Sequence, residues 1–367
     1  MSLSIAIVGL PNVGKSTLFN ALTHSDILAA NYPFATIDPN TGIVPVPDSR
    51  LGVLQKMYSA DKVIPATVTF VDIAGLVAGA SKGEGLGNKF LANIRTCDAI
   101  IHIVRAFENG DILHVQNTVD PARDISTINT ELLLADLQTV ENHLPKLQKE
   151  AKGDPKLLPY LADVQKLYAM LNAGELPVSP QACGISPEAY NKCAKELQLL
   201  TMKPVIYVFN VNEQTLADTA EQASLAALAP GAARVLFICA KLEDELKGLD
   251  EADAKELLYS YNVPEDGLSQ MIHAAYDTLG LQSYLTAGPN EVRAWTIHKG
   301  DTAPQAAGVI HTDFERGFIA AQVVDYDDLV AAGSEAAARS TGKIATVGRD
   351  YIMKPGDIVE FRFNVSK

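Results

Sequence analysis

Residues 9–16 read GLPNVGKS, which fits the pattern G-x-x-x-x-G-K-[ST]. Set between a strand and a helix, such a loop turns successive backbone N–H groups and the helix N-terminus toward phosphate oxygens. Asn12, Val13 and Gly14 supply that backbone, and Ser16 and Thr17 open the helix-like stretch STLFNALT. Lys15 is the cation for the outer phosphates, and the Ser16 hydroxyl suits a Mg2+ ion that bridges them. A second motif, DIAG at 72–75, places Asp72 at the end of another apolar run, where it would hold the same metal through water. Gly75 there lets the backbone approach a terminal phosphate. Between the two motifs, NYPFATIDPNTG offers Thr36, whose hydroxyl would complete the metal shell; an ordinary loop threonine is the alternative on position alone.

Leu76 follows Gly75 where many GTPases carry a glutamine that orients the attacking water, and a leucine neither donates nor accepts a hydrogen bond. Either hydrolysis is slow or another group supplies that function. His114, in the loop-like ENGDILHVQN, is one candidate, since imidazole can orient or deprotonate water near neutral pH; a packing or surface histidine is the plainer reading. Asn12 is a second candidate, through a monovalent cation such as K+ held beside the leaving group. Glycines 79, 83, 85 and 87 crowd the following segment and suit a loop that orders around a nucleotide.

The stretch FNVNE at 209–213 nearly spells N-K-x-D, the guanine-reading signature, with Val211 for lysine and Glu213 for aspartate. In that signature the aspartate accepts from the ring N–H and exocyclic amine of guanine, and adenine has neither donor. The longer Glu213 would crowd the base plane or turn away, and Val211 gives up the lysine stem, so guanine preference should be lost. Adenine needs an acceptor and a donor, which one amide of Asn210 or Asn212, or backbone near Leu242, would supply. CAK at 239–241 occupies the place of the S-A-K loop, and its backbone amide, in Ala240 and Lys241, would face the adenine amine unfavourably unless loop or base shifts.

These residues need a scaffold. Apolar runs rich in Ile and Val (LSIAIVGL, ATVTFVDIAG, DAIIHIVRAF, KPVIYVFNV, ARVLFICAK) alternate with longer helix-like segments, the mark of a parallel sheet covered by helices. The alternation stops between about 128 and 200. There Leu133, Leu137, Val140, Leu144 and Leu147, then Leu157, Leu161, Val164, Tyr168 and Leu171, recur at steps of four and three, as in a helical hairpin joined by KGDP. Asp154 and Pro155 suit an N-cap and first turn, while Pro145 and Pro159 would shorten or bend the rods. The narrow stripes favour a projecting coiled-coil arm over an ordinary packed pair. Beyond about 283, strand-like pieces between Gly, Pro and Asp turns indicate a small separate domain.

With 367 residues, 47% of them hydrophobic, the chain can bury one large core and a satellite. Its net charge of −14 disfavours general attraction to phosphate backbones, so a nucleic-acid partner must meet a local patch. The start does not read as a leader, no apolar run is long enough to span a membrane, and Cys97, Cys183, Cys193 and Cys239 fall in no metal spacing, which together point to a reduced, cytoplasmic protein.

GLPNVGKST, NYPFATIDPN, DIAGLVAGASKGEGLGNKFL, NVNE and RAWTIHKGDTAPQAAGVIHTDFERGFI together closely resemble the YchF-type Obg-like ATPases of the TRAFAC GTPase class, over essentially the whole chain. The resemblance implies an α/β fold: a P-loop G domain over 1–127 and 201–283, a helical coiled-coil insertion over 128–200, and a TGS domain of ubiquitin-like β-grasp fold over 284–367. It implies a Mg2+-dependent switch that prefers ATP to GTP and associates with the ribosome, with the large subunit as the expected contact and RNA met through the TGS domain or the arm. It places Asn12, Lys15, Ser16 and Thr17 on phosphate contacts and Ser16 and Thr36 on the metal. The favoured reading is a slow ATPase switch; the alternatives are an Obg-like GTPase of relaxed specificity and a nucleotide-gated binding module with negligible turnover.

Overall fold

The computed structural model describes residues 3–23, 40–73, 86–108, 118–246, 248–261 and 263–364. In chain order its strands are β1 (Ser4–Val8), β2 (Thr41–Pro45), β3 (Lys62–Ile64), β4 (Thr67–Asp72), β5 (Ala99–Arg105), β6 (Val205–Asn210), β7 (Arg234–Ile238), β8 (Leu281–Ala287), β9 (Glu291–His298), β10 (Phe318–Asp325), β11 (Ala345–Val347) and β12 (Asp357–Phe363). They form two sheets, in the orders β2-β4-β1-β5-β6-β7 and β11-β10-β12-β8-β9-β3. Two compact units divide the chain: Thr69–Met271 belongs to the first with the phosphate loop, and Ile43–Val68 and Ile272–Lys367 to the second.

The five apolar runs of the sequence are the five strands β1, β4, β5, β6 and β7, and the pairs among them are parallel. Every residue of β5 is buried, and Ile5, Ala6, Ile7 and Val8 of β1 are fully so. Such unbroken burial is what a parallel strand covered on both faces requires. Strands β1, β4, β5 and β6 carry their C-terminal ends to one edge, where open α/β sheets bind ligands.

The hairpin of the first unit starts earlier than the leucine stripe. Asp120 caps the helix Pro121–Gly153 by accepting from the Arg123 N–H at 3.1 Å, with Pro121 at its first turn. Pro145 lies inside this helix and does not end it. Asp154 caps a short 3-10 turn, Pro155–Leu157, rather than an α-helix, and the return helix Leu158–Asn172 follows directly. Leu133, Val140, Leu147, Val164, Leu167 and Leu171 form the hairpin core, closed by Cys193 of the helix Pro187–Glu196. All four cysteines are free and buried.

Polar groups fix the base of the hairpin. The Arg95 guanidinium donates to the Leu197 and Gln198 carbonyls at 3.3 Å each and to the Thr139 hydroxyl at 2.9 Å. The Lys203 ammonium donates to the carbonyls of Arg95 and Cys97. The fully buried Asp136 carboxylate accepts from the Leu200 N–H at 2.9 Å and from both the N–H and hydroxyl of Thr201 at 2.7 Å. Desolvation raises its pKa against those three donors.

In the second unit, β8–β9, β10–β11 and β10–β12 pair antiparallel while β12–β8 and β3–β9 pair parallel. The helix Ala303–Ile310 lays Ala303, Ala306 and Ala307 against Tyr284, Ile297 and Val323, and these small residues let helix and sheet approach closely in a β-grasp arrangement.

Candidate nucleotide site

The phosphate loop leaves β1 at Gly9, where an added Cβ would meet the Ile103 carbonyl oxygen at 2.8 Å. Asn12 has φ 66° and Gly14 φ 94°, two left-handed residues that fold the loop back over the helix Lys15–Thr23. A side chain at Gly14 would collide with the Asn210 amide. The Leu18 N–H then bonds the Gly14 carbonyl at 3.0 Å and starts the helix, which leaves the preceding N–H groups at its mouth.

Lys15 is buried and forms an ion pair with Asp72 at the end of β4. The Asp72 N–H is held by the Asn40 carbonyl at 2.8 Å, and the Ile73 N–H by the Ile7 carbonyl at 3.2 Å, so β4 delivers Asp72 beside the loop. Ser16 and Thr17 are exposed at the helix start. The Ser16 hydroxyl and the Asp72 carboxylate are hard oxygen donors and fit Mg2+. Among the described residues no group of three or more His, Cys, Asp or Glu converges as a metal cage. Thr36, Gly75, Leu76, His114 and glycines 79, 83 and 85 lie outside the described residues.

A cavity of about 590 Å³ adjoins the loop and is lined by Asn12, Gly14, Thr17, Phe107, Glu108, Val211, Asn212, Glu213, Ala240 and Lys241, among others. Its size suits a nucleotide-sized ligand. Asn210, buried at the end of β6, donates its amide N–H to the Val13 carbonyl at 2.9 Å and accepts the Ala240 N–H at 3.2 Å. This one amide ties the phosphate loop to the CAK loop. The Asn212 amide oxygen caps the helix Glu213–Ala217, accepting from the Thr215 N–H and hydroxyl at 2.9 Å each. The Asn210 and Asn212 carbonyl oxygens thus already accept bonds within the protein, from the Ala240 N–H and from Thr215. The Ala240 N–H, expected to oppose the adenine amine, is turned to Asn210 instead. Leu242 is buried.

Glu213 is engaged by a neighbouring cation. Its carboxylate lies 2.8 Å from the Lys241 ammonium, and Glu245 lies 3.7 Å from the same cation. The Lys241 ammonium holds the Glu213 carboxyl below the usual carboxylate range, and Glu213 in turn raises Lys241. Val211 is buried and pinned by the Ile238 carbonyl at 2.9 Å.

Phe107 and Glu108 also line the cavity and belong to no sequence motif. They follow β5 directly, and position after the carboxyl end of a parallel strand was the available signal. The Arg105 guanidinium sits 4.5 Å from the centre of the Phe107 ring and donates to the Phe107 carbonyl at 3.1 Å, which fixes the ring at the cavity wall.

The family model described as 50S ribosome-binding GTPase matches residues 4–143, and the YchF-GTPase_C model, described as "Protein of unknown function (DUF933)", matches 281–364. The chain is 50% identical to the ribosome-binding ATPase YchF of Haemophilus influenzae, over 100% of both chains. It is 44% identical to the Obg-like ATPase 1 of Gallus gallus, over 99% of this chain and 93% of that one. The solved structure of the Schizosaccharomyces pombe YchF GTPase superposes with a TM-score of 0.83 at 39% identity, over 98% of each chain. With the phosphate loop, the parallel sheet and full-length identity in agreement, the chain belongs to the YchF family of P-loop proteins.

Proposed function

We propose that this protein is a cytoplasmic, Mg2+-dependent nucleotide switch that binds ATP in preference to GTP, hydrolyses it slowly and associates with the ribosome through its large subunit. The Glu213–Lys241 pair carries the base assignment: the acid at the guanine-reading position is engaged by a neighbouring cation, and beside it Val211 supplies no lysine stem. Phe107, stiffened by Arg105, offers an apolar plate to a purine, whichever its exocyclic groups.

In this reading Lys15 would exchange Asp72 for the outer phosphates, and the freed Asp72 carboxylate would be available to hold Mg2+ through water. Asn12, Val13, Gly14, Ser16 and Thr17 hold the phosphates by backbone and hydroxyl groups. Ser16 and Thr36 would hold Mg2+, which would supply neutralisation of phosphate charge when bound. Gly75 admits the terminal phosphate, and the leucine at 76 leaves turnover slow, with His114 or a K+ ion at Asn12 taking part in placing water. Residues 1–127 and 201–283 act as the switch, 128–200 as an arm, and the TGS domain over 284–367 and the arm as RNA-contacting parts. Among the described residues no helix is long and apolar enough to cross a membrane.

Equilibrium titration of nucleotide-free protein with ATP and GTP analogues in Mg2+, beside turnover of wild type and Lys15→Ala with and without ribosomes, tests the reading. Tighter ATP binding and a turnover that Lys15→Ala abolishes are expected. Tighter GTP binding would return the chain to GTPases, and turnover indifferent to Lys15 would remove the ATPase assignment.

A further inference from the structure

The far end of the helical hairpin differs in charge from the rest of the molecule. Between 146 and 156 stand Lys146, Lys149, Lys152 and Lys156 against Glu150 and Asp154, a balance of 4 − 2 = +2 in a chain of net charge −14. All four lysines are exposed. Val140, Leu147 and Ala151 bury the opposite side of the same helix. At 100° per residue, Lys146, Lys149 and Lys152 fan across the solvent face opposite that stripe.

These cations are unspent. Among the described residues none of the four ammonium groups pairs with a carboxylate, although Glu150 stands four residues after Lys146. Elsewhere pairing is common: Lys299 with Asp277 at 3.0 Å, Lys343 with Asp328 at 2.8 Å, Arg339 with Glu335 at 2.9 Å, Arg293 with Glu291 at 3.8 Å and, on the return helix, Lys166 with Asp163 at 3.3 Å. The turn that carries Lys156 is fixed, with the Asp154 carboxylate accepting the Lys156 N–H at 3.1 Å and the Asp154 N–H bonded to the Glu150 carbonyl at 3.0 Å. Leu158 is the one large apolar side chain exposed between 121 and 172. Protein interfaces are built around an apolar core and are depleted in lysine, whereas nucleic-acid backbones are met by lysines acting as point charges.

We infer that the tip of the hairpin is an RNA-docking surface, at which Lys146, Lys149, Lys152 and Lys156 contact phosphodiester groups of ribosomal RNA. The inference rests on the ribosome reading above and places a contact of the arm at its tip; in the second unit Arg293, Lys299 and Lys343 are engaged by acids, which makes Lys299 and Lys343 suitable controls.

The test is co-sedimentation of the full chain with ribosomes, and binding to purified ribosomal RNA, between roughly 50 and 200 mM salt. Wild type is compared with Lys146→Gln/Lys149→Gln/Lys152→Gln/Lys156→Gln and with Lys299→Gln/Lys343→Gln. Nucleotide affinity and the melting curve serve as checks of folding. The tip variant should bind both targets at least about tenfold more weakly at low salt, with its log–log salt slope flattened by roughly 3, as expected for four lost phosphate contacts. The second-unit variant should bind as wild type does. Equal binding and slope for wild type and tip variant would overturn the inference and leave the ribosome reading standing. Weakening on ribosomes but not on purified RNA would assign the contact to an acidic protein and overturn it as well. Failure of wild type to bind either target would overturn both.

Discussion

Lys241 places its ammonium 2.8 Å from the Glu213 carboxylate at the rim of the nucleotide cavity. An aspartate free to accept from guanine is thereby replaced by a longer acid that already has a cation. Lys241→Met should free Glu213 and raise GTP affinity relative to ATP by about threefold, the modest gain expected from opening a solvent-exposed pair. Competition titration reads it, and an unchanged ratio would show that side-chain length, rather than the pair, disables guanine reading.

Asn210 joins two loops with one amide, so its removal should damage both ends of the site. Asn210→Ala is expected to cost about 2 kcal/mol of stability, because the Val13 carbonyl and Ala240 N–H lose a buried partner. Nucleotide affinity should fall more than tenfold. Gly14→Ala, which meets the same amide at φ 94°, should lose affinity in the same way. Chemical denaturation with nucleotide titration checks both, and an Asn210→Ala protein of wild-type affinity would deny the amide its joining role.

Asp136→Ala removes a buried acceptor from two N–H groups and a hydroxyl at the foot of the hairpin. About 3 kcal/mol should be lost. Exchange of the Leu200 and Thr201 amide hydrogens should accelerate with it, and exchange as slow as in wild type would show that other bonds hold that segment.

His102 is buried in β5 against Tyr207, and desolvation lowers its pKa from 6.5 to about 3. The unfolded chain therefore takes up a proton near pH 6.5 that the folded chain refuses until about pH 3. The stability tied to this group is complete above about pH 6.5 and is lost as the pH falls from there toward 3, at up to roughly 1.4 kcal/mol per pH unit. In His102→Phe the slope of stability between pH 6.5 and 5 should flatten by most of that amount. Urea unfolding at several pH values measures it, and parallel slopes would contradict the assignment.

What the sequence made legible follows from how local the signals are. The phosphate loop, Lys15 and Asp72 declare themselves by fixed spacing, and the five parallel strands by unbroken apolar runs. The hairpin stripe from Leu133 to Leu147 reappears as its core. Strand β3 is only Lys62–Ile64 and draws its sheet order from pairing with β9, over two hundred residues away, which no local pattern encodes. Asn210 could be marked as a site residue, but its partners Val13 and Ala240 lie on other loops, so its joining role depended on tertiary placement. Phe107 lacked a motif altogether; its meaning came from the strand end on which it sits.

The polar network at Arg95, Thr139, Asp136 and Lys203 also has a mechanical consequence. The helix runs fourteen residues past Thr139 to Gly153, about 21 Å at 1.5 Å per residue. Clamped at its foot through both the outgoing helix and the returning segment, the hairpin is a cantilever and not a limb on a swivel. A tilt of about 10° in the helix Leu86–Thr96, which carries Arg95, would sweep the lysine-bearing end through roughly 4 Å. Small rotations of that helix would thus become large displacements at the lysine-bearing end of the hairpin.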